Sequence, residues 1–134
     1  MPRRRVADWE DVRQLALALP ETSERVARDM RQWLVKDKLF VWERPLRRKE
    51  LDELGTNAPV GPILAARVEH LGAKEVLLGE SSGVFFTTTH FDGYPAILVR
   101  LELIALDELR EIVVEAWLAR APRRLAAAYI DEFL

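Results

Sequence analysis

The sequence predicts an α+β fold of two layers, a mainly antiparallel sheet covered on one face by helices, with one N-terminal and two C-terminal helices. Apolar residues recur at helical spacing near both ends, short strand-prone runs fill the middle, and regular βαβ alternation is absent. The 134 residues suffice for one domain over 1–134, whose core needs no metal or disulfide.

The first third of the chain predicts a helix followed by a hairpin. Asp8 is a suitable N-cap for a helix over 8–18, and Pro20 discourages its continuation. A strand is expected over 23–28. Two apolar runs within 33–42 flank a polar Lys-Asp-Lys tip, which is the pattern of a β-hairpin.

The middle third alternates short helices with strands. A highly charged helix is expected over 46–54, and a loop containing two prolines and a glycine follows it. A strand over 63–68 and a helix over 71–78 come next.

The last third predicts a second hairpin and the two C-terminal helices. Strands are expected over 84–88 and 96–101, joined by a loop. Leu106, Leu109, Val113 and Trp117 form the apolar stripe of a long helix, and Pro122 suits the first position of the last one.

Composition excludes several classes of function. The chain has no cysteine, which removes disulfides, thiolate metal sites and cysteine nucleophiles. No apolar run is long enough to span a bilayer and no signal peptide is recognised, so a cytoplasmic protein without a membrane partner is expected. The net charge of -2 is not that of a strongly basic nucleic-acid binder, although local basic patches remain compatible with it. We expect a monomer.

No catalytic constellation is recognised. His90 and Asp92 are residue types of a hydrolytic triad, but no Gly-x-Ser-x-Gly motif accompanies them. His70 and His90 are the only histidines of the chain, and neither stands at metal-ligand spacing from a second ligand. The sequence therefore predicts a non-catalytic protein with no catalytic residue, no metal site and no cofactor.

Clustered cations suggest a nucleic-acid interface. Two lysines are predicted at the hairpin tip, further cations follow at the start of the charged helix, and all could contact phosphates. Trp33 or Trp42 could stack on bases if exposed, and 3–5 could add a basic arm. The candidate nucleic-acid-binding residues are Lys36, Lys38, Arg44, Arg47, Arg48 and Lys49.

The segment Thr87-Thr88-Thr89-His90-Phe91-Asp92-Gly93-Tyr94-Pro95, followed by Ile97-Leu98-Val99-Arg100-Leu101, resembles the MmcQ/YjbR family. The stretches 17–22, 38–42, 116–117 and 121–122 agree with that family's layout in the same order. The resemblance implies a frataxin-like (CyaY-like) fold and, by analogy with a double-wing domain, DNA binding. It implies no catalytic residue. Asp37 departs from the family, in which glycine is more often expected in this turn.

Two functions remain open at this stage. The first is a DNA-binding domain that uses its two hairpins as basic wings and binds weakly, with a steep dependence on salt. The second is a small-ligand or protein-interaction module centred on the loop 87–95. In that loop His90, Asp92, Gly93, Tyr94 and Pro95 either pack as a structural turn or offer a recognition surface.

Overall fold

A computed structural model describes residues 6–134, in which five α-helices accompany one antiparallel sheet of six strands. The helices are α1 (Trp9–Leu17), α2 (Arg48–Leu54), α3 (Leu71–Leu78), α4 (Leu106–Arg120) and α5 (Arg123–Phe133). The strands are β1 (Thr22–Ala27), β2 (Met30–Val35), β3 (Lys38–Glu43), β4 (Ile63–Arg67), β5 (Phe85–Phe86) and β6 (Ala96–Arg100). The predicted fold class is confirmed.

The strands lie in the order β1-β2-β3-β4-β6-β5, and every neighbouring pair is antiparallel. Both predicted hairpins are present. β5 is shorter than the predicted strand 84–88, and Thr88 beyond its end donates its hydroxyl to the carboxylate of Glu50. Pro122 precedes the first residue of α5 by one position, as its N-cap.

The start of α1 is fixed by reciprocal hydrogen bonds between Asp8 and Asp11. The backbone N–H of Asp11 donates to Oδ1 of Asp8 at 3.0 Å, and the backbone N–H of Asp8 donates to Oδ2 of Asp11 at 2.9 Å. This arrangement satisfies two backbone donors that the first turn of a helix leaves unpaired.

Substitution of this cap is expected to have a modest effect. Asp8→Ala should lower the free energy of unfolding by about 1 kcal/mol, measured by urea denaturation. Asp8→Asn keeps an accepting oxygen and should lose much less. Equal losses in the two variants would contradict a capping role for the side chain.

The first face of the sheet carries the larger core. Trp33, Val41, Leu64 and Ile97 project from it and are fully buried, and α1 and α4 pack over them. Trp117 of α4 is also fully buried, and its indole N–H donates to the carbonyl of Pro20 at 3.0 Å, which ties α4 to the end of α1.

A β-bulge at Phe40 matches β3 to this core. Trp33 pairs with Val41 whereas Leu34 pairs with Leu39, so Phe40 is an extra residue on β3. Phe40 and Val41 both join the larger core as a result, and Trp42 projects from the second face.

The second face of the sheet is covered over only part of its area. Ile63, Ala65, Ala96 and Leu98 form a smaller cluster there, closed by Phe91 of the loop 87–95. α2 also lies on this side. The sequence predicted helices on one face only, whereas the structure has helices on both. Among residues 6–134, no helix is long and apolar enough to cross a membrane.

Candidate nucleic-acid interface

Register across β1, β2 and β3 places polar and aromatic side chains in one row on the second face. Arg25 lies opposite Gln32, and Gln32 lies opposite Trp42. Nε of Arg25 donates to Oε1 of Gln32 at 2.6 Å. Trp42 and Gln32 are half-buried and Arg25 is exposed. Ala27 and Met30 face each other in the next row. These five residues form what we term the open corner.

The open corner lies at a cationic end of the sheet. The Arg28–Asp29 turn joins β1 to β2 there, and β3 leaves the sheet at the same end toward the start of α2. Arg31 pairs with Glu43 at 3.2 Å and Arg48 with Asp52 at 3.5 Å. Other cations at this end have no ion-pair partner within residues 6–134. They are Arg25, Arg28, Arg47 and Lys49.

The six predicted phosphate-binding residues do not form one patch. Lys36 and Lys38 lie at the β2–β3 turn, and Arg47, Arg48 and Lys49 lie beyond the other end of β3. A strand of this length separates the two groups by roughly 17–20 Å. Lys36 also stands 3.8 Å from the carboxylate of Glu21. The predicted arm at 3–5 lies outside the described residues.

Arg44, the remaining member of the predicted set, is buried and cannot reach a phosphate. Its guanidinium donates to both oxygens of Glu50, at 2.8 and 3.1 Å, and to the carbonyl of Pro45 at 2.7 Å. It also lies over the ring of Phe91, 5.1 Å from the centroid. Arg44 is thus a structural cation beneath the loop 87–95.

Glu50 is the centre of this buried network, and each of its oxygens accepts two hydrogen bonds. Besides Arg44, the backbone N–H of Arg47 donates to Oε1 at 3.0 Å and the hydroxyl of Thr88 to Oε2 at 2.6 Å. Burial alone would raise the pKa of Glu50. The bonds from Arg47, Thr88 and Arg44 outweigh that effect and hold its pKa below the usual value.

A second buried cation holds the other end of the loop 87–95. Nζ of Lys74, on α3, donates to the carbonyls of Phe91 at 2.7 Å and Tyr94 at 3.0 Å. Burial lowers the pKa of Lys74, and the nearby carboxylates of Asp92 and Glu75 partly offset that shift. The loop is therefore anchored from two separate helices, α2 and α3.

The five predicted residues of this loop occupy the outside of that closed turn. His90 is exposed and meets the ring of Phe91 edge-on at 5.0 Å, and Asp92 is exposed. Gly93 has φ of 72°, a conformation that glycine adopts without strain. The hydroxyl of Tyr94 and the carbonyl of Pro95 both accept hydrogen bonds from Arg67. The depressions along α1, α3, α4 and α5 are lined by none of the five.

The two histidines have separate local roles. Nδ1 of His70 accepts a hydrogen bond from the backbone N–H of Ala73 at 3.0 Å and so caps α3. His90 packs on Phe91. Within residues 6–134, no three His, Asp or Glu side chains are grouped so that they could hold a metal ion.

Comparison with known proteins gives relatives along almost the whole chain. Uncharacterized protein Rv2570 of Mycobacterium tuberculosis and uncharacterized protein Mb2600 of Mycobacterium bovis are each 44% identical to it over 128 residues. The aligned region covers 93% of this chain and 97% of each relative. The chain belongs to the family of these mycobacterial proteins. No family model and no solved structure matches it, so membership of the MmcQ/YjbR family stays a prediction.

The open corner is a candidate site that sequence reasoning missed. Arg25 and Gln32 were not candidates, because nothing in the sequence shows which residues of three strands lie side by side. Trp42 was considered together with Trp33. Trp33 is fully buried, and its indole N–H donates to Glu24, whereas Trp42 is only half-buried.

Proposed function

We propose that the chain is a non-catalytic DNA-binding domain of the MmcQ/YjbR type and that it binds DNA through the open corner. One observation carries the proposal: the half-buried Trp42 lies in a row with Arg25, at the sheet end where four cations have no carboxylate partner among residues 6–134. Cations that track the phosphates and an aromatic ring that stacks on a base are the two parts of a single-strand binding surface. The proposal uses the open corner instead of the hairpin wings predicted from sequence, because the cations of the predicted set lie at opposite ends of β3 and do not form one surface.

The chemistry of the open corner favours unpaired bases. A tryptophan ring on a sheet surface can stack only on a base that is not already stacked within a duplex. A stacked ring and phosphate contacts do not read base edges. Binding should therefore be largely independent of sequence and steeply dependent on salt.

The direct test is a fluorescence anisotropy titration at low salt with a labelled thymidine oligonucleotide. Its length of about 16 nucleotides is at the upper end of known site sizes for single-strand binding domains. Binding should weaken as salt rises, with a logarithmic slope of about -0.7 for each phosphate contacted. A duplex of the same length should bind less tightly. Absence of binding up to high micromolar protein would remove the proposal.

Charge reversal at the open corner tests the location. Arg25→Glu should weaken binding about tenfold, which corresponds to about 1.4 kcal/mol. Lys38→Glu makes the same change of charge at the opposite end of β3 and is the matched control. Equal weakening by both variants would show that net charge, and not this surface, governs the interaction.

A further inference from the structure

A groove between α3 and α4 has an apolar floor and an acidic rim. Its volume is about 420 Å³. The floor is formed by Ala73, Val76, Leu77 and Ile112, and Val76 is 71% exposed. Glu69, Glu111 and Glu115 stand around it. We term this feature the acidic groove.

The carboxylates on the rim of the acidic groove are not neutralised by the protein. Within residues 6–134, neither Glu111 nor Glu115 has an ion-pair partner, and Glu69 has only His70 at 3.9 Å. Arg67 also borders the groove, and its guanidinium, which donates to the neutral hydroxyl of Tyr94 and carbonyl of Pro95, supplies one positive charge against the three carboxylates. The rim therefore carries unbalanced negative charge.

Like charges one helical turn apart make this arrangement costly for the isolated domain. Glu111 and Glu115 are four residues apart on α4, a spacing that places them on one face, where like charges repel and destabilise the helix. Glu108 lies nearby. Burial, followed by the carboxylates of Glu80, Glu111 and Asp107, raises its pKa. A cation bound to this surface would relieve the repulsion.

The apolar surface extends past the acidic groove along α4. A second depression of about 260 Å³ shares Glu69 and Glu115 with it and is lined by Leu118, Ala119, Ala126 and Ile130. Apolar patches on both sides of the shared carboxylates form one continuous surface that is longer than a small molecule would cover. An amphipathic helix with cations beside its apolar stripe has the matching pattern.

We propose that the acidic groove docks a basic amphipathic helix of a partner protein. Its apolar side chains cover Val76, Leu77 and Ile112, and its lysines or arginines pair with Glu69, Glu111 and Glu115. Charge complementarity favours this occupant. The glutamates of the rim would repel an acidic helix, and an uncharged helix would leave those glutamates without a partner.

The test uses a labelled synthetic helix of leucine and lysine, about four turns long, with leucines at i, i+3, i+4 and i+7. The protein should bind it in an anisotropy titration. A scrambled peptide of the same composition and a leucine–glutamate version should bind at least about tenfold more weakly. Equal binding of the scrambled peptide, or no binding of the amphipathic one up to millimolar protein, overturns the proposal.

Variants locate the interaction on the protein. The double substitution Glu111→Gln/Glu115→Gln should weaken peptide binding about tenfold, and Val76→Ser should weaken it without altering charge. Glu10→Gln/Asp52→Asn removes the same charge from α1 and α2 and should have no effect. Binding unchanged by the first double variant overturns the proposal. Self-association of the wild type that this variant abolishes would assign the groove to a second copy and also overturn it.

Discussion

Glu50→Gln is expected to lower the free energy of unfolding by about 3–5 kcal/mol, since it leaves Arg44 buried without a counter-charge. The substitution preserves the shape of the side chain and keeps one accepting oxygen, so the loss measures the removed charge and the two hydrogen bonds that the other oxygen accepted. Urea denaturation followed by tryptophan fluorescence measures it. This is one of the two largest effects that we expect from a single substitution.

Glu53→Gln is the matched control for Glu50. It removes the same charge from the same helix, but the exposed Glu53 carboxylate only accepts the backbone N–H of Thr89, at 3.0 Å. It should cost less than about 1 kcal/mol. Replacing both partners, as Arg44→Met/Glu50→Leu, should recover much of the lost stability. Equal costs for Glu50→Gln and Glu53→Gln would contradict the proposed role of the buried pair.

The Arg44–Glu50 pair also makes the free energy of unfolding depend on pH. The pKa of Glu50 is lower in the folded chain than in the unfolded one, so the unfolded chain binds more protons between the two values and stability rises with pH there. The contribution is complete above the ordinary glutamate pKa and is lost as the pH falls through the lowered one. Glu50→Gln should remove this part of the acid dependence, whereas Glu53→Gln should retain it.

Lys74→Met is expected to release the loop 87–95 and to destabilise the fold. The methionine fills a similar volume but leaves the carbonyls of Phe91 and Tyr94 without their charged donor, and each such bond contributes about 1.5–3 kcal/mol. Hydrogen exchange should show faster opening of residues 89–95, and the free energy of unfolding should fall.

The exposed Lys49 provides the matched control for the Lys74 substitution. Lys49→Met makes the same substitution on the surface at the start of α2 and should leave loop exchange unchanged. If Lys74→Met left the exchange of residues 89–95 at the wild-type rate, the two hydrogen bonds would not be what holds the loop.

Local patterns predicted most of the elements because each depends on neighbouring residues. The Lys36–Asp37 turn followed from two apolar runs around a polar tip, and the structure places both residues at positive φ, 47° and 66°, as a two-residue hairpin turn requires. The Asp8 cap and the positive φ of Gly93 have the same local origin. None of these needs knowledge of what packs against the segment.

The site depended on distant pairings that no local pattern encodes. Arg44 was expected to contact phosphates and Glu50 to lie on a highly charged helix, but the fold buries both and brings Thr88, 38 residues later, to that carboxylate. Nothing in the local sequence around Lys74 on α3 indicated that its side chain would be buried. The row Arg25–Gln32–Trp42 requires the extra residue at Phe40, because the regular alternation of β3 would otherwise place Trp42 differently.

The order of the strands also constrains how the chain assembles during synthesis. β5 has a single neighbour, β6, which the ribosome makes later, and β6 must enter between β5 and the finished edge of β4. The hydrophobic side of the first four strands, with Trp33 and Leu64, is covered only by α1 until α4 has been made. The nascent polypeptide therefore exposes apolar surface until α4 has been made, and the complete core can form only after that.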